Sequence, residues 1–220
     1  MKKHLLKLTL LSIIFIYAPI CLAVTASDCF RTGNDYFYKA TIAMTLEEKN
    51  YYSNKALDIF QKEYEKDNTN INIMVALGRT YCLLEEKTKA KNILMQAYNT
   101  YPNDTKVHMA LGDYNYYFQE YNTALEFYKL ALSSGLLKDY KTNTIVAMCY
   151  EKLGDEKNAK LYYNITNMLN PNYQIAKQKL YSLENKEPIG STITQNTIFQ
   201  TEIEDSVDIN EIIENTQHIR

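Results

Sequence analysis

The segment 76–102, ALGRTYCLLEEKTKAKNILMQAYNTYP, lies on the segment 110–136, ALGDYNYYFQEYNTALEFYKLALSSGL, at an offset of 34 residues. Leu77 and Gly78 fall on Leu111 and Gly112, Ala90 on Ala124, and Ala97 on Ala131. After one inserted residue the register continues through 146–171 with Ala147, Tyr150, Gly154, Ala159, Tyr163 and Pro171. Upstream, Ala56 and Phe60 precede Ala90 and Leu94 by the same 34, so Ala56, Ala90, Ala124 and Ala159 form one column. A fixed period constrains the fold more than any single motif, because a unit of this length buries its apolar face only against its neighbours. The chain is therefore expected to be a stack of similar units.

Each unit reads as two helices. Tyr121, Ala124, Leu125, Tyr128, Ala131 and Leu132 recur at the spacing of one helical stripe, and Val107, Leu111, Tyr114 and Phe118 do the same for the helix before it. Helices of about 13 residues are marginal alone and need tertiary packing to persist. Pro102 and Pro171 follow second helices, and Gly135 suits a left-handed helix end. With these features the chain resembles the tetratricopeptide repeat, whose 34-residue unit carries a small residue at position eight, Tyr at eleven, Ala at twenty and Pro at thirty-two. Gly78, Gly112 and Ala147 stand at eight, Tyr81 and Tyr150 at eleven, the alanine column at twenty, and Pro102 and Pro171 at thirty-two. Asn115, Leu136 and Thr166 depart from the pattern; in the first unit Met44 falls at eight and Glu63 at the place of a later alanine, which points to an irregular leading helix. The resemblance covers roughly 37–173 and implies an all-α solenoid of stacked antiparallel helix pairs in a right-handed superhelix. The expected organisation is a signal peptide 1–26, an N-terminal segment with a degenerate first repeat 27–70, repeats 71–104, 105–139 and 140–173, a capping helix 174–185 and a flexible acidic tail 186–220.

In the family, the first helix of each pair lines a concave groove that takes peptide segments or helices, through positions two, five, nine, twelve and thirteen. Carried over, these are Asn72, Val75, Arg79, Cys82 and Leu83; Lys106, Met109, Asp113, Tyr116 and Tyr117; Lys141, Thr144, Met148, Glu151 and Lys152. Tyr114, Phe118, Tyr121 and Tyr128 are then core, whereas Tyr116 and Tyr117 are expected to form a groove floor flanked by Lys106, Lys141 and Lys152. Such a floor suits an extended peptide with an apolar anchor and acidic neighbours. The family's clamp for chaperone tails needs Lys and Asn where Val75 and Arg79 stand, so chaperone-tail binding is not expected.

The segment MKKHLLKLTLLSIIFIYAPICLAVTAS places Lys2, Lys3 and Lys7 before an apolar run, Leu8 to Ala23, and then small residues. It reads as an export signal cleaved after Ala26 or Ala23, with an anchor at 8–23 as the alternative. The expected location is the periplasm or exterior of a bacterium, or its inner membrane if the anchor is retained. Ile20 before Cys21 argues against lipidation. Cleavage leaves Cys29, Cys82 and Cys149, an odd number read as buried thiols. Formal net charge is −2, which gives no general attraction for nucleic acid. The tail from Lys186 carries seven acidic residues against Lys186 and Arg220, a net −5. In it, Asp208 and Glu211 form a capping-box-like start ahead of Ile209, Ile212 and Ile213. No nucleotide loop, nucleophile elbow or metal-binding signature occurs, and His108 sits at a packing position. The sequence reading is an exported scaffold or adaptor that holds a protein segment, with no catalytic residues, no metal and no cofactor; the alternatives are a module self-associating through repeat ends and, more remotely, an enzyme with a site assembled across repeats.

Overall fold

The computed structural model describes residues 26–185. The expected signal, apart from Ala26, and the tail 186–220 lie outside the described residues. Among the described residues nine α-helices follow one another: α1 Ala26–Ile42, α2 Leu46–Lys66, α3 Ile71–Leu83, α4 Lys87–Thr100, α5 Thr105–Tyr117, α6 Tyr121–Ala131, α7 Tyr140–Lys152, α8 Glu156–Leu169 and α9 Gln174–Asn185. They pair as α1/α2, α3/α4, α5/α6 and α7/α8, and α9 closes the stack against α8. There is no strand among the described residues.

Capping chemistry repeats with the period. The first helices α3, α5 and α7 start after Asn70, Asp104 and Asp139, whose side-chain oxygens accept backbone N–H bonds from Asn72 and Ile73, from Lys106 and Val107, and from Thr142. Each of these helices also ends alike. Glu85, Gln119 and Gly154 take left-handed φ values of 61°, 63° and 75°. The next N–H then reaches back across the last turn, from Glu86 to the Tyr81 carbonyl, Glu120 to Asn115 and Asp155 to Tyr150. The inserted residue between the α5/α6 and α7/α8 units is absorbed as a wide turn over Leu132–Leu136, with Gly135 at φ 140°.

The close approach of paired helices depends on the small residues. A Cβ added to Gly78 would sit 2.4 Å from Leu94 Cγ, and one added to Gly112 would sit 2.4 Å from Tyr128 Cε1. Ala56, Ala90, Ala124 and Ala159 are all fully buried. One core runs from Phe37 to Tyr117 and a second from Met109 to Leu183, and they meet at α5, which is buried from Val107 to Tyr117 and exposes Lys106 at its start. Tyr114 and Tyr128 are buried in these cores, and Phe118 and Tyr121 pack against them half-buried.

The first unit differs from the sequence expectation. Met44 does not occupy position eight; it lies in the loop between α1 and α2 and is 96% exposed. Gly33 takes that role, since a Cβ there would meet Phe60 Cε1 at 2.4 Å. Gly33 and Phe60 are 27 residues apart, whereas Gly78 and Leu94, like Gly112 and Tyr128, are 16 apart. The hairpin is thus eleven residues longer, four added to α1 and seven to α2 between the contact and the loop, about one and two helical turns, so each helix keeps its angular phase. The leading helix is regular, and the added length projects as a hairpin tip.

Candidate functional site

The first helices α3, α5 and α7 carry the residues assigned to the groove. Asn72, Lys106 and Lys152 are exposed, and Arg79 and Glu151 are half-buried. Val75, Cys82, Leu83, Met109, Asp113, Thr144, Met148, Lys141, Tyr116 and Tyr117 are buried. The expectation of an open tyrosine floor is therefore corrected: Tyr116 is 3% exposed and Tyr117 is 7% exposed. Tyr116 makes an edge contact with Tyr121 at 5.2 Å, and burial raises its phenol pKa. Tyr117 packs edge-on against Phe118 at 5.2 Å, and its hydroxyl accepts a 3.1 Å hydrogen bond from Lys49 Nζ. Lys49 belongs to the N-terminal part of α2, which the longer first hairpin contains. A strictly 34-residue register gives no sign that a residue 68 positions earlier reaches this place.

The polar groups of this face bond to one another across the repeats. Lys106 Nζ donates to Asn72 Oδ1 at 2.8 Å, linking position two of adjacent units. Arg79 links position nine in the same way, its Nε 3.0 Å and its terminal nitrogen 2.8 Å from Asp113 Oδ2. Tyr128 donates to the other carboxylate oxygen at 2.8 Å. Burial pushes the Asp113 pKa up, while Arg79 and Tyr128 act in the opposite direction. Glu151 accepts from Tyr163 and from Lys179 of α9, each at 2.8 Å. Sequence spacing could not have found Lys179 or Tyr163, whose contribution depends on where α9 and α8 pack.

Lys106 and Lys152 are exposed, Arg79 is held by Asp113, and Val75, Met109, Met148 and Lys141 are buried beneath them. Lys106 is fixed on a neutral amide, so its charge remains available to an acidic ligand. His108 is buried with Nε2 2.9 Å from the Pro102 carbonyl, a packing role. No group of three or more His, Cys, Asp or Glu side chains is placed to hold a metal among the described residues. A separate cleft of about 440 Å³, lined by Gln61, Tyr64, Tyr81 and Gln96 among others, lies between α2, α3 and α4.

No protein-family profile and no curated protein sequence matches the chain. Solved structures do match it. The pilF protein of Pseudomonas aeruginosa superposes with a TM-score of 0.62 at 16% identity, over 74% of this chain and 68% of that one. A crystal structure of MamA gives 0.54 at 17% identity, over 77% of this chain and 99% of that one. The MamA RS-1 ArsTM double mutant gives 0.55 at 13% identity, over 80% and 97%. At these identities the likeness is one of backbone architecture. Together with the 34-residue register and the small residues between paired helices, it shows that this chain has the tetratricopeptide-repeat fold, an all-α solenoid.

Proposed function

We propose that this chain is an exported protein-interaction scaffold that binds an extended peptide segment of a partner along the inner face of α3, α5 and α7. The observation that carries the reading is the exposure of Asn72, Lys106 and Lys152 on the first helices of three consecutive repeats, with Lys106 held on a neutral amide. A peptide carrying acidic residues complements that face in charge. Export is supported by the basic-then-apolar leader and the small residues before Ser27. N-terminal sequencing of the native protein tests it, with Ser27 or Val24 as the expected first residue.

The binding test is peptide display on the immobilised chain. Selected peptides should carry Asp or Glu, and should bind about tenfold more weakly to a Lys106→Glu/Lys152→Glu variant with an unchanged melt, as two exposed charges of ~0.7 kcal/mol each predict. Equal affinity for both proteins removes the groove from consideration.

A second reading, self-association, is favoured by one specific feature. The tip of the first hairpin exposes Ile42 (47%), Met44 (96%) and Leu46 (67%) close together in the chain. Light scattering of a Met44→Asp/Leu46→Asp variant tests it: a dimer that becomes monomeric supports the tip as its contact, and an unchanged mass excludes it.

A further inference from the structure

We propose that the cleft between α2, α3 and α4 is a saccharide-binding site, which takes a ring of a short neutral sugar against its tyrosines and holds the hydroxyls with the amides at its rim. The site is separate from the first-helix face to which peptide binding is assigned above.

The cleft originates in the repeat pattern itself. Where later units meet, one column of second-helix residues supplies a ring: Phe127 packs edge-on against Tyr98 with centroids 6.1 Å apart, and Tyr162 stacks on Tyr150 at 5.5 Å. Ile93 stands in the same column, 34 residues before Phe127. Tyr64 lies one repeat before Tyr98, and Tyr81 lies two repeats before Tyr150. Both receiving rings are therefore present at this earlier interface, while the ring that meets them elsewhere is replaced by a smaller aliphatic side chain. The space left is the cleft of about 440 Å³, at the small end of the ~300–1,000 Å³ that ligand sites occupy. Leu77 and Ile93 are its buried floor, Tyr64 and Tyr81 are half-buried, and Gln61, Glu65, Asn92 and Gln96 are exposed around it.

The polar groups select an uncharged ligand rich in hydroxyls. Tyr64 donates to Gln96 Oε1 at 2.8 Å, and Gln61 Nε2 donates to the Tyr81 hydroxyl at 2.9 Å. Each bond engages one end of an amide and leaves the other, Gln96 Nε2 as a donor and Gln61 Oε1 as an acceptor, with Asn92 offering both. A sugar hydroxyl donates and accepts at once, so mixed donors and acceptors match it. Lys89, the one cation in the lining, is engaged: its Nζ is 2.9 Å from Glu86 and 5.7 Å from the Tyr81 ring centroid. An anionic ligand would also meet the Glu65 carboxylate, so charge gives it no advantage. A pyranose lays its C–H face on a phenol ring and presents hydroxyls to the amides, whereas an aromatic side chain would use the rings and leave the amides to water.

Amide NMR of the full chain, titrated with methyl glucoside, N-acetylglucosamine, cellobiose and chitobiose, tests the proposal. At least one of these should give saturable shifts at millimolar concentration, at Tyr81 and in segments 61–65 and 89–96. Ile93→Phe, which restores the ring found at Phe127 and Tyr162, should weaken that binding about tenfold or more without lowering Tm. Gln61→Met/Gln96→Leu, which installs the residues standing one repeat later at Met95 and Leu130, should weaken it to a similar degree while leaving the floor unchanged, and reads the same point if Ile93→Phe disturbs the fold. No shift in these segments with any of the sugars, or equal binding by the wild type and the double variant, overturns the proposal. Tighter binding of glucuronic acid than of methyl glucoside overturns the neutral assignment, and tighter binding of N-acetyltyrosinamide than of every sugar makes the cleft a slot for a partner's aromatic side chain and overturns it as well.

Discussion

Replacing Gly112 by Ala sets two effects of opposite sign against each other, and the structure says which prevails. Gly112 lies inside α5, where exchanging Gly for Ala raises helix propensity by about 1 kcal/mol. Its added methyl, however, would lie 2.4 Å from Cε1, 2.5 Å from Cδ1 and 2.9 Å from Cζ of Tyr128. Ordinary carbon contacts are about 3.5–4.0 Å, so the ring has to retreat by about 1 Å. Tyr128 is fully buried, and its hydroxyl is held by Asp113 at 2.8 Å, so it has no free direction in which to move. Overpacking of this sort costs ~1–3 kcal/mol, and weakening a hydrogen bond to a carboxylate adds ~1.5 kcal/mol. The net expectation is a loss of about 2 kcal/mol, or a Tm lower by roughly 4–8 °C for a chain of this size. Calorimetry of the single variant, and of the same change made in a Tyr128→Phe background, separates the contributions. In that background the ring is untethered, so Gly112→Ala should cost about 1 kcal/mol less. A rise in Tm on Gly112→Ala in the wild type would show that propensity outweighs the contact and would refute the argument.

Other positions give simpler expectations. Gln119 is exposed at φ 63°, a conformation costing a side-chain-bearing residue ~1 kcal/mol, so Gln119→Gly should raise Tm by a few degrees in calorimetry. Ala124→Leu places three extra carbons at a fully buried site and should lower stability by about 1–3 kcal/mol in urea titration. Burial raises the pKa of all three described thiols, but only Cys29 is partly accessible. A thiol reagent should therefore modify Cys29 alone in the native state, faster as pH rises, and reach Cys82 and Cys149 only on unfolding. Asp155 accepts hydrogen bonds from the Asn158 side chain and backbone, which hold its pKa below the usual carboxylate range. Its contribution is present above the unfolded pKa of about 3.9 and is lost as pH falls through the lowered value. Acid melts of Asp155→Asn should consequently show a shallower fall in Tm between about pH 5 and 3 than the wild type.

The repeating core was legible because its period repeats the same physical requirement: small residues where helices touch, and bulky ones facing them. Gly78, Gly112 and the four alanines signalled those contacts directly in the sequence. The first unit was misread at Met44 because comparison at one fixed offset cannot register growth within a hairpin. Gly33 and Phe60 held the missing signal, a small–aromatic pair separated by the normal spacing plus whole turns. The groove was legible only as a set of directions. Position along a helix told which way Tyr117 and Glu151 point, whereas Lys49, Lys179 and Tyr163 come to them from elements whose placement depends on packing. The burial of Tyr116 and Tyr117 is likewise a tertiary outcome, invisible to residue type and spacing.

The long first hairpin carries a lesson about how such a chain can be lengthened. Four or seven residues added to one helix leave its facing side chains within about 40° of their original direction, whereas two or five would swing the small residue away from its ring by a third of a turn or more. Elongation of these rods is thus quantised, and a designer wishing to extend the tip further should add or remove material in those steps.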